Sequence, residues 1–389
     1  MSTALRRSMS VPLRGTISAP MTRTDTSVLS RWWWTVDKLS LFLLCGLAGV
    51  GLLMTSAAGP AVAERLGFPP MHFVLRQALF VPPALLIMFM TSMMAPKQVR
   101  RAAVVVFAVS IALLILTLFV GVEIKGARRW LSIGGLSIQV SEFAKPAFAV
   151  TAAWMFAARR LGEQIPGNVI ATILLVVLIS LLLSQPDVGQ TAVVVTMWLS
   201  QLFLAGLPMV WVALLLSLGV GGLATAYFVF PHVASRIDRF LNPQAGDNFQ
   251  VDRALDAFMN GGLFGTGPGA GTVKLHLPDA HADFVFAVMG EEFGLLACLL
   301  LVSVFGLIVV RGLIRALQDS DLFIVLATTG LLVQFALQAL INMASAVNLM
   351  PPKGMTLPFV SYGGSSVIAM AFGMGMVLAL TRRRPGEQA

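Results

Sequence analysis

Charge is scarce in this sequence. Asp, Glu, Lys and Arg together make up 12% of the residues, against 57% hydrophobic, and the mean hydropathy is +0.85. That balance excludes an ordinary water-soluble domain. Cysteine is nearly absent: Cys45 and Cys298 both fall inside apolar runs, where they act as small hydrophobes, so a disulfide framework is excluded. Four histidines and no established zinc spacing argue against a dedicated structural zinc site. The net charge of +9 does not point to nucleic acid, because Arg and Lys form short clusters between apolar runs and not one soluble face.

What the sequence has in abundance is apolar runs. A hydrocarbon core needs about 20 apolar residues per helix, and candidate spans recur at Leu39 to Ala58, Phe73 to Met94, Ala102 to Gly121, Glu142 to Ala158, Val169 to Leu183, Thr191 to Gly206, Met209 to Phe230, Phe284 to Val310, Leu322 to Val347 and Val367 to Leu380. The expected fold is therefore an all-α polytopic integral membrane protein of about ten transmembrane helices, with a large extracytoplasmic loop between the seventh and eighth. Residues 1–38, rich in Ser, Thr and Arg and without apolar periodicity, read as a disordered basic cytoplasmic tail. Residues 39–380 form one membrane domain with its outer loop at 231–283, and 381–389 a cytoplasmic C-terminal tail. Ala61-Val62-Ala63 looks like a signal-peptidase site, but the long leader and long first run favour an uncleaved helix. With both termini in the cytoplasm, the clusters Lys97/Arg100/Arg101, Arg159/Arg160, Arg311/Arg315 and Arg382/Arg383/Arg384 all lie inside, as the positive-inside rule asks.

Three outer connections break that rule. Glu123 to Ser141 carries Lys125, Arg128 and Arg129; Pro231 to Asp283 carries Arg236, Arg239, Arg253 and Lys274; Asn348 to Ser366 carries Lys353. Length excuses the longest loop, whose acids can also pair locally; in the two short ones the cations suggest an anionic ligand outside the cytoplasm. The glycine-rich run Gly261 to Gly271 lacks the Lys-Ser/Thr of a phosphate loop. It suits a tight path near the membrane surface, and any substrate must arrive already activated. After it come His276, Asp279, His281 and Asp283, then Glu291 and Glu292. If a helix begins near His281, Asp283 or Asp279 is either its N-cap or a general base. A magnesium or manganese ion shared with a substrate phosphate fits these residues better than zinc. Glu142 and Lys145, at i and i+3, are either a structural pair or substrate ligands. Arg76 has no partner visible in the sequence. Gln185 to Gln190 breaks two short apolar segments, as discontinuous helices do in transporters.

Five stretches together resemble the SEDS family (shape, elongation, division and sporulation): Gly126-Ala-Arg-Arg-Trp-Leu131, Gln139-Val-Ser-Glu-Phe-Ala-Lys145, Pro186-Asp-Val-Gly189, Leu277-Pro-Asp-Ala-His-Ala-Asp-Phe284 and Pro352-Lys-Gly-Met-Thr-Leu-Pro-Phe-Val-Ser-Tyr-Gly-Gly-Ser-Ser366. The likeness covers Trp34 to Leu380. Val140, Asp279 and Ala282 depart from the family's usual Pro, Glu and Thr; the last removes a hydroxyl beside the aspartate. The resemblance implies ten helices and a peptidoglycan glycosyltransferase that polymerises lipid II at the outer face of the cytoplasmic membrane, with undecaprenyl pyrophosphate as leaving group. It places Asp283 on the family's catalytic aspartate, and Arg129, Glu142, Lys145, Lys353 and Ser361 on substrate-binding positions, with no metal ligand assigned. Trp32-Trp33-Trp34 before Asp37-Lys38, and Lys274 to Pro278, are similar to the cell-division branch. That branch implies septal cell-wall synthesis and location at the division septum. It also implies a class B penicillin-binding transpeptidase and other divisome membrane proteins as partners, besides lipid II and membrane lipids. The rival expectations are a lipid II flippase using Arg76, Glu142, Lys145 and Asp187, and a non-catalytic divisome scaffold.

Overall fold

The computed structural model describes residues 27–124, 127–134, 136–162, 164–206, 208–230, 233–235, 237–238, 249–351 and 353–383. Lys125, Arg236, Arg239, Arg384 and most of both tails lie outside the described residues. The described helices run in the order α1 Val28–Thr35, α2 Lys38–Arg65, α3 His72–Ser92, α4 Pro96–Val120, α5 Val140–Arg160, α6 Gly167–Ser184, α7 Val188–Leu204, α8 Met209–Val229, α9 Phe249–Gly261, α10 Val285–Leu317, α11 Leu322–Ala346 and α12 Gly364–Leu380. A protein of the membrane interior must satisfy its backbone within the chain, which leaves helices as the form these apolar runs can take. Each of the ten expected segments falls on one of them. Six helices (α2, α3, α4, α6, α10 and α11) are long and apolar enough to cross a membrane, and shorter apolar helices occur at Val188–Leu204, Ser217–Val229 and Gly364–Leu380.

Two local features differ from the expectation. Residues 28–38 were expected to be part of a disordered tail; instead Val28–Thr35 is helical, a correction with a clear cause. Trp32 is buried, donates its indole N–H to Ser92 Oγ at 2.9 Å and packs edge-on against Phe89, so tertiary contact orders a segment with no apolar periodicity. The connection after α4 is not bare loop. It is a three-stranded antiparallel sheet, β1 Val122–Ile124, β2 Ala127–Ile133 and β3 Leu136–Gln139, with Trp130 opposite Gln139 and Ile133 opposite Leu136.

The core is built on α5, which packs against α4, α6, α11 and α12, while α12 also packs along α3. Small residues set these distances: a side chain at Gly375 would run into Thr91 and the backbone of Met88. At one end of the bundle α1 meets the residues that follow α12, Arg382 Nε donating to Thr35 Oγ1 at 3.0 Å. Asp37 there binds Arg311 at 2.8 Å and Arg315 at 3.2 Å, from the far end of α10. Burial pushes the Asp37 carboxyl up, but hydrogen bonds from Arg311 and Ser40 and the charge of Arg315 outweigh it and hold it below the usual carboxylate range. The opposite end carries the α2–α3 turn, the start of α10 and the start of α12, joined where Arg65 donates to the Leu277 carbonyl at 2.8 Å.

Candidate active site

At that second end, Asp283 sits in a crevice lined by Phe284, Asn342, Ser345, Lys353, Gly354 and Met355. Both Asp283 and Lys353 are partly exposed there. The turn Asp279 to Phe284 delays helix α10 until Val285, and its N-cap is Phe284 with no side-chain cap. Neither Asp279 nor Asp283 is that helix's N-cap, so the capping alternative for Asp283 falls. Its backbone is held from two sides. Asn342 donates to the Asp283 carbonyl at 2.9 Å and to that of Met355 at 2.7 Å. Ser361 Oγ donates to the neighbouring Ala282 carbonyl at 2.5 Å and accepts from Leu357 N at 2.8 Å. Ser361 is only 1% exposed, so its hydroxyl serves the backbone that carries Asp283. Gly354, in the left-handed region at φ 65°, lets Lys353 turn beside the aspartate; a Cβ there would lie 3.6 Å from Asp283 Oδ2.

Lys353 leads to the second half of the site. A Cβ at Gly189 would lie 3.8 Å from the Lys353 stem and 3.9 Å from Asp187 Oδ1. Asp187 caps α7 by accepting from Gln190 N, and Arg129 Nη1 is 3.9 Å from its other oxygen. Arg129, on β2, also donates to the carbonyls of Gln185 and Pro186 at 2.9 and 2.6 Å. The guanidinium thus clamps the break between α6 and α7.

Deeper still, Glu142 and Lys145 form a closed network. Lys145 Nζ donates to Glu142 at 2.9 Å, Gln190 at 2.6 Å and Gln338 at 3.1 Å. Gln190 and Gln338 return hydrogen bonds to the two Glu142 oxygens at 2.8 and 3.3 Å. All three ammonium protons have an acceptor, as burial of such a charge requires. This network joins α5, α7 and α11.

Several other polar residues that the sequence singles out also find partners. Glu291 accepts from the backbone of Val273 and Lys274 and from Asn260, and Glu292 pairs with Lys274. The glycine run crosses α10 where Gly294 breaks the helix at φ 78°; Leu295 N donates to the Gly262 carbonyl and Thr266 N to that of Glu291. Arg76 hydrogen bonds to Tyr362, whose hydroxyl burial pushes above its usual range while Arg76 opposes the rise. His281 packs in a three-ring cluster, its ring tilted 36° against Phe73 and 40° against Tyr362; burial holds it down at about 4 although Asp279 favours its charged form. Among the described residues no three His, Cys, Asp or Glu side chains converge as metal ligands, and Asp283 is the one carboxylate lining its crevice. These residues do not by themselves fit a resident divalent ion.

Sequence reasoning missed Asn342, Gln338 and Gln190. Gln334, Gln338 and Asn342 repeat at i, i+4 along one face of α11, a polar stripe inside an apolar span, and that periodicity was the available signal.

Fold and site define a polytopic helical membrane protein with one carboxylate and one lysine, both partly exposed, at a crevice above a buried polar network. The profile of the FtsW/RodA/SpoVE family, described as cell cycle proteins, matches residues 38–385, and the chain belongs to this SEDS family. It is 44% identical over 365 residues, 94% of each chain, to a protein of Caulobacter vibrioides named probable peptidoglycan glycosyltransferase FtsW. A Coxiella burnetii protein of the same name is 34% identical, covering 89% of this chain and 96% of its own. Among solved structures it is similar to a chain from a study of the "structural coordination of polymerization and crosslinking by a peptidoglycan synthase complex", with TM-score 0.74, 28% identity and coverage of 90% and 98%. It is also similar to Thermus thermophilus RodA, with TM-score 0.66, 29% identity and coverage of 90% and 97%.

Proposed function

We propose that this chain is a septal peptidoglycan glycosyltransferase that polymerises lipid II at the outer face of the cytoplasmic membrane. The observation that carries the mechanism is the placement of Asp283: a partly exposed carboxylate that is not the N-cap of α10, held by its backbone beside Lys353. Asp283 takes the proton of an acceptor sugar hydroxyl. The oxygen attacks the anomeric carbon of the donor as the bond to undecaprenyl pyrophosphate breaks, so the proton ends on Asp283 and the electron pair on the leaving pyrophosphate. Lys353 offers that pyrophosphate its charge. Arg129 shapes the cavity wall by clamping the α6–α7 break, and Glu142 and Lys145 hold the helices around it. Ser361 is a positioning residue for the turn that carries Asp283. If a divalent ion takes part, it comes with substrate phosphate.

In this reading ten helices cross the membrane with both termini in the cytoplasm, supported by the Arg clusters at that end. Relatives named FtsW and a neighbour from a synthase complex support a division role and a crosslinking partner, here a class B penicillin-binding transpeptidase. A flippase path is less well supported, since Arg76, Glu142, Lys145 and Asp187 are each engaged by protein groups. The test is glycan formation by the purified full chain from lipid II, with the transpeptidase added. Lipid translocation without glycan product would overturn the proposal.

A further inference from the structure

The end of the bundle marked by Asp37 and Arg382 holds a second cavity, of about 140 Å³, between α4, α5 and α11. It plays no part in the chemistry above. One wall bears Lys97 and Arg100, one turn apart on α4, with the Arg100 guanidinium 4.6 Å from the centre of the Trp154 ring. Among the described residues neither cation enters an ion pair; the carboxylate that gathers arginines at this end is Asp37, with Arg311 and Arg315. The other wall bears Asp321, which caps α11 by accepting from Phe323 N at 2.9 Å and has its second oxygen to spare. Leu161 at the rim is 71% exposed.

The apolar continuation of this cavity is on the helix itself. Lys97, Arg101, Val105 and Val109 recur at i, i+4 on α4 and are all exposed, with Val105 and Val109 61% and 52% accessible. Val109 lies about 18 Å along the axis from Lys97, at 1.5 Å per residue. A strip facing lipid therefore starts at the mouth of a cavity that presents two cations, an aromatic ring at interfacial depth and one carboxylate opposite.

We propose that this cavity binds the headgroup of a membrane phospholipid. Lys97 and Arg100 take the phosphodiester, Asp321 takes an ammonium group on the same headgroup, and an acyl chain follows Val105 and Val109. The carboxylate distinguishes this from a site for any anion: it disfavours a bare phosphate and selects a zwitterion such as phosphatidylethanolamine.

Native mass spectrometry of the full-length protein, stripped in detergent and titrated with phosphatidylethanolamine or phosphatidylglycerol, tests this. Wild type is expected to retain about one phosphatidylethanolamine more tightly than the rest. Lys97→Gln and Arg100→Gln each weaken that retention by roughly fivefold, while Arg128→Gln, on β2 beyond the far end of α4, does not. Asp321→Asn keeps the helix cap and removes the preference over phosphatidylglycerol. Equal retention by wild type and Lys97→Gln, an exposed position that tolerates change, overturns the proposal, as does an equal loss in Arg128→Gln. Displacement of the retained lipid by millimolar inorganic phosphate would assign the site to a soluble phosphate and overturn the lipid.

Discussion

Asn342 donates one amide proton to the carbonyl of Asp283 and the other to the carbonyl of Met355. A single side chain on α11 thereby ties the start of α10 to the segment that carries Lys353. Asn342→Asp keeps the size but removes both donors. Two lost hydrogen bonds are worth about 1 kcal/mol each, and loosening the carboxylate is expected to slow polymerisation by roughly 10- to 100-fold. A kinetic comparison at saturating and limiting lipid II checks it: a positioning role lowers the maximal rate, with lipid II affinity nearly unchanged.

Asp283→Asn is a cleaner test than the sequence could promise, because the N-cap of α10 is Phe284 and not this residue. General-base catalysis predicts a loss of about 10² to 10⁴ fold in glycan formation with an unchanged unfolding temperature. The assay is chain formation from lipid II with the transpeptidase present. Undiminished product would remove Asp283 from the mechanism, and rescue by added magnesium or manganese would reassign it as an ion ligand.

The Glu142–Lys145 network is expected to act on stability first. Lys145→Met strands a buried carboxylate and should cost about 3–5 kcal/mol. Replacing both, Glu142→Leu with Lys145→Met, should recover much of that loss because no charge is left unpaired. Thermal unfolding in detergent measures both. If the double variant is as unstable as the single one, the pair does more than balance itself.

His281 makes stability depend on pH. Its pKa in the fold is about 4, against about 6.5 in the unfolded chain. The unfolded chain therefore binds the proton first, so the contribution is complete above pH 6.5 and is lost as pH falls towards 4. Its Nδ1 is buried without a partner, consistent with an uncharged ring. Unfolding temperatures across this window should fall steeply for wild type and more gently for His281→Phe; parallel curves would place the acid sensitivity elsewhere.

Topology can be read by labelling. With Cys45 and Cys298 replaced, a cysteine at Ala270 should react with an impermeant thiol reagent in intact spheroplasts, and one at Ser320, near the Asp37 end, only after lysis. The reverse pattern would turn the protein over and remove the outer site.

The sequence by itself determined the solvent this protein lives in. Its apolar runs, each about the thickness of a hydrocarbon core, dictate helices because lipid offers the backbone no hydrogen bonds. It also pointed to Asp283 and Lys353, polar residues at positions where an unneeded charge is costly. What only the tertiary structure decided is which polar groups are already answered. Two of the three partners of Lys145 lie 45 and 193 residues away, and Arg129 is engaged by carbonyls 56 and 57 residues on. Trp32 gains its order from Ser92, 60 residues away, and Asn342 acts on Asp283 across 59. Hydropathy is a property of neighbours in the chain, whereas satisfaction of a buried charge is a property of neighbours in space. For that reason the helices were legible from the sequence, and the division between structural and exposed polar residues was not.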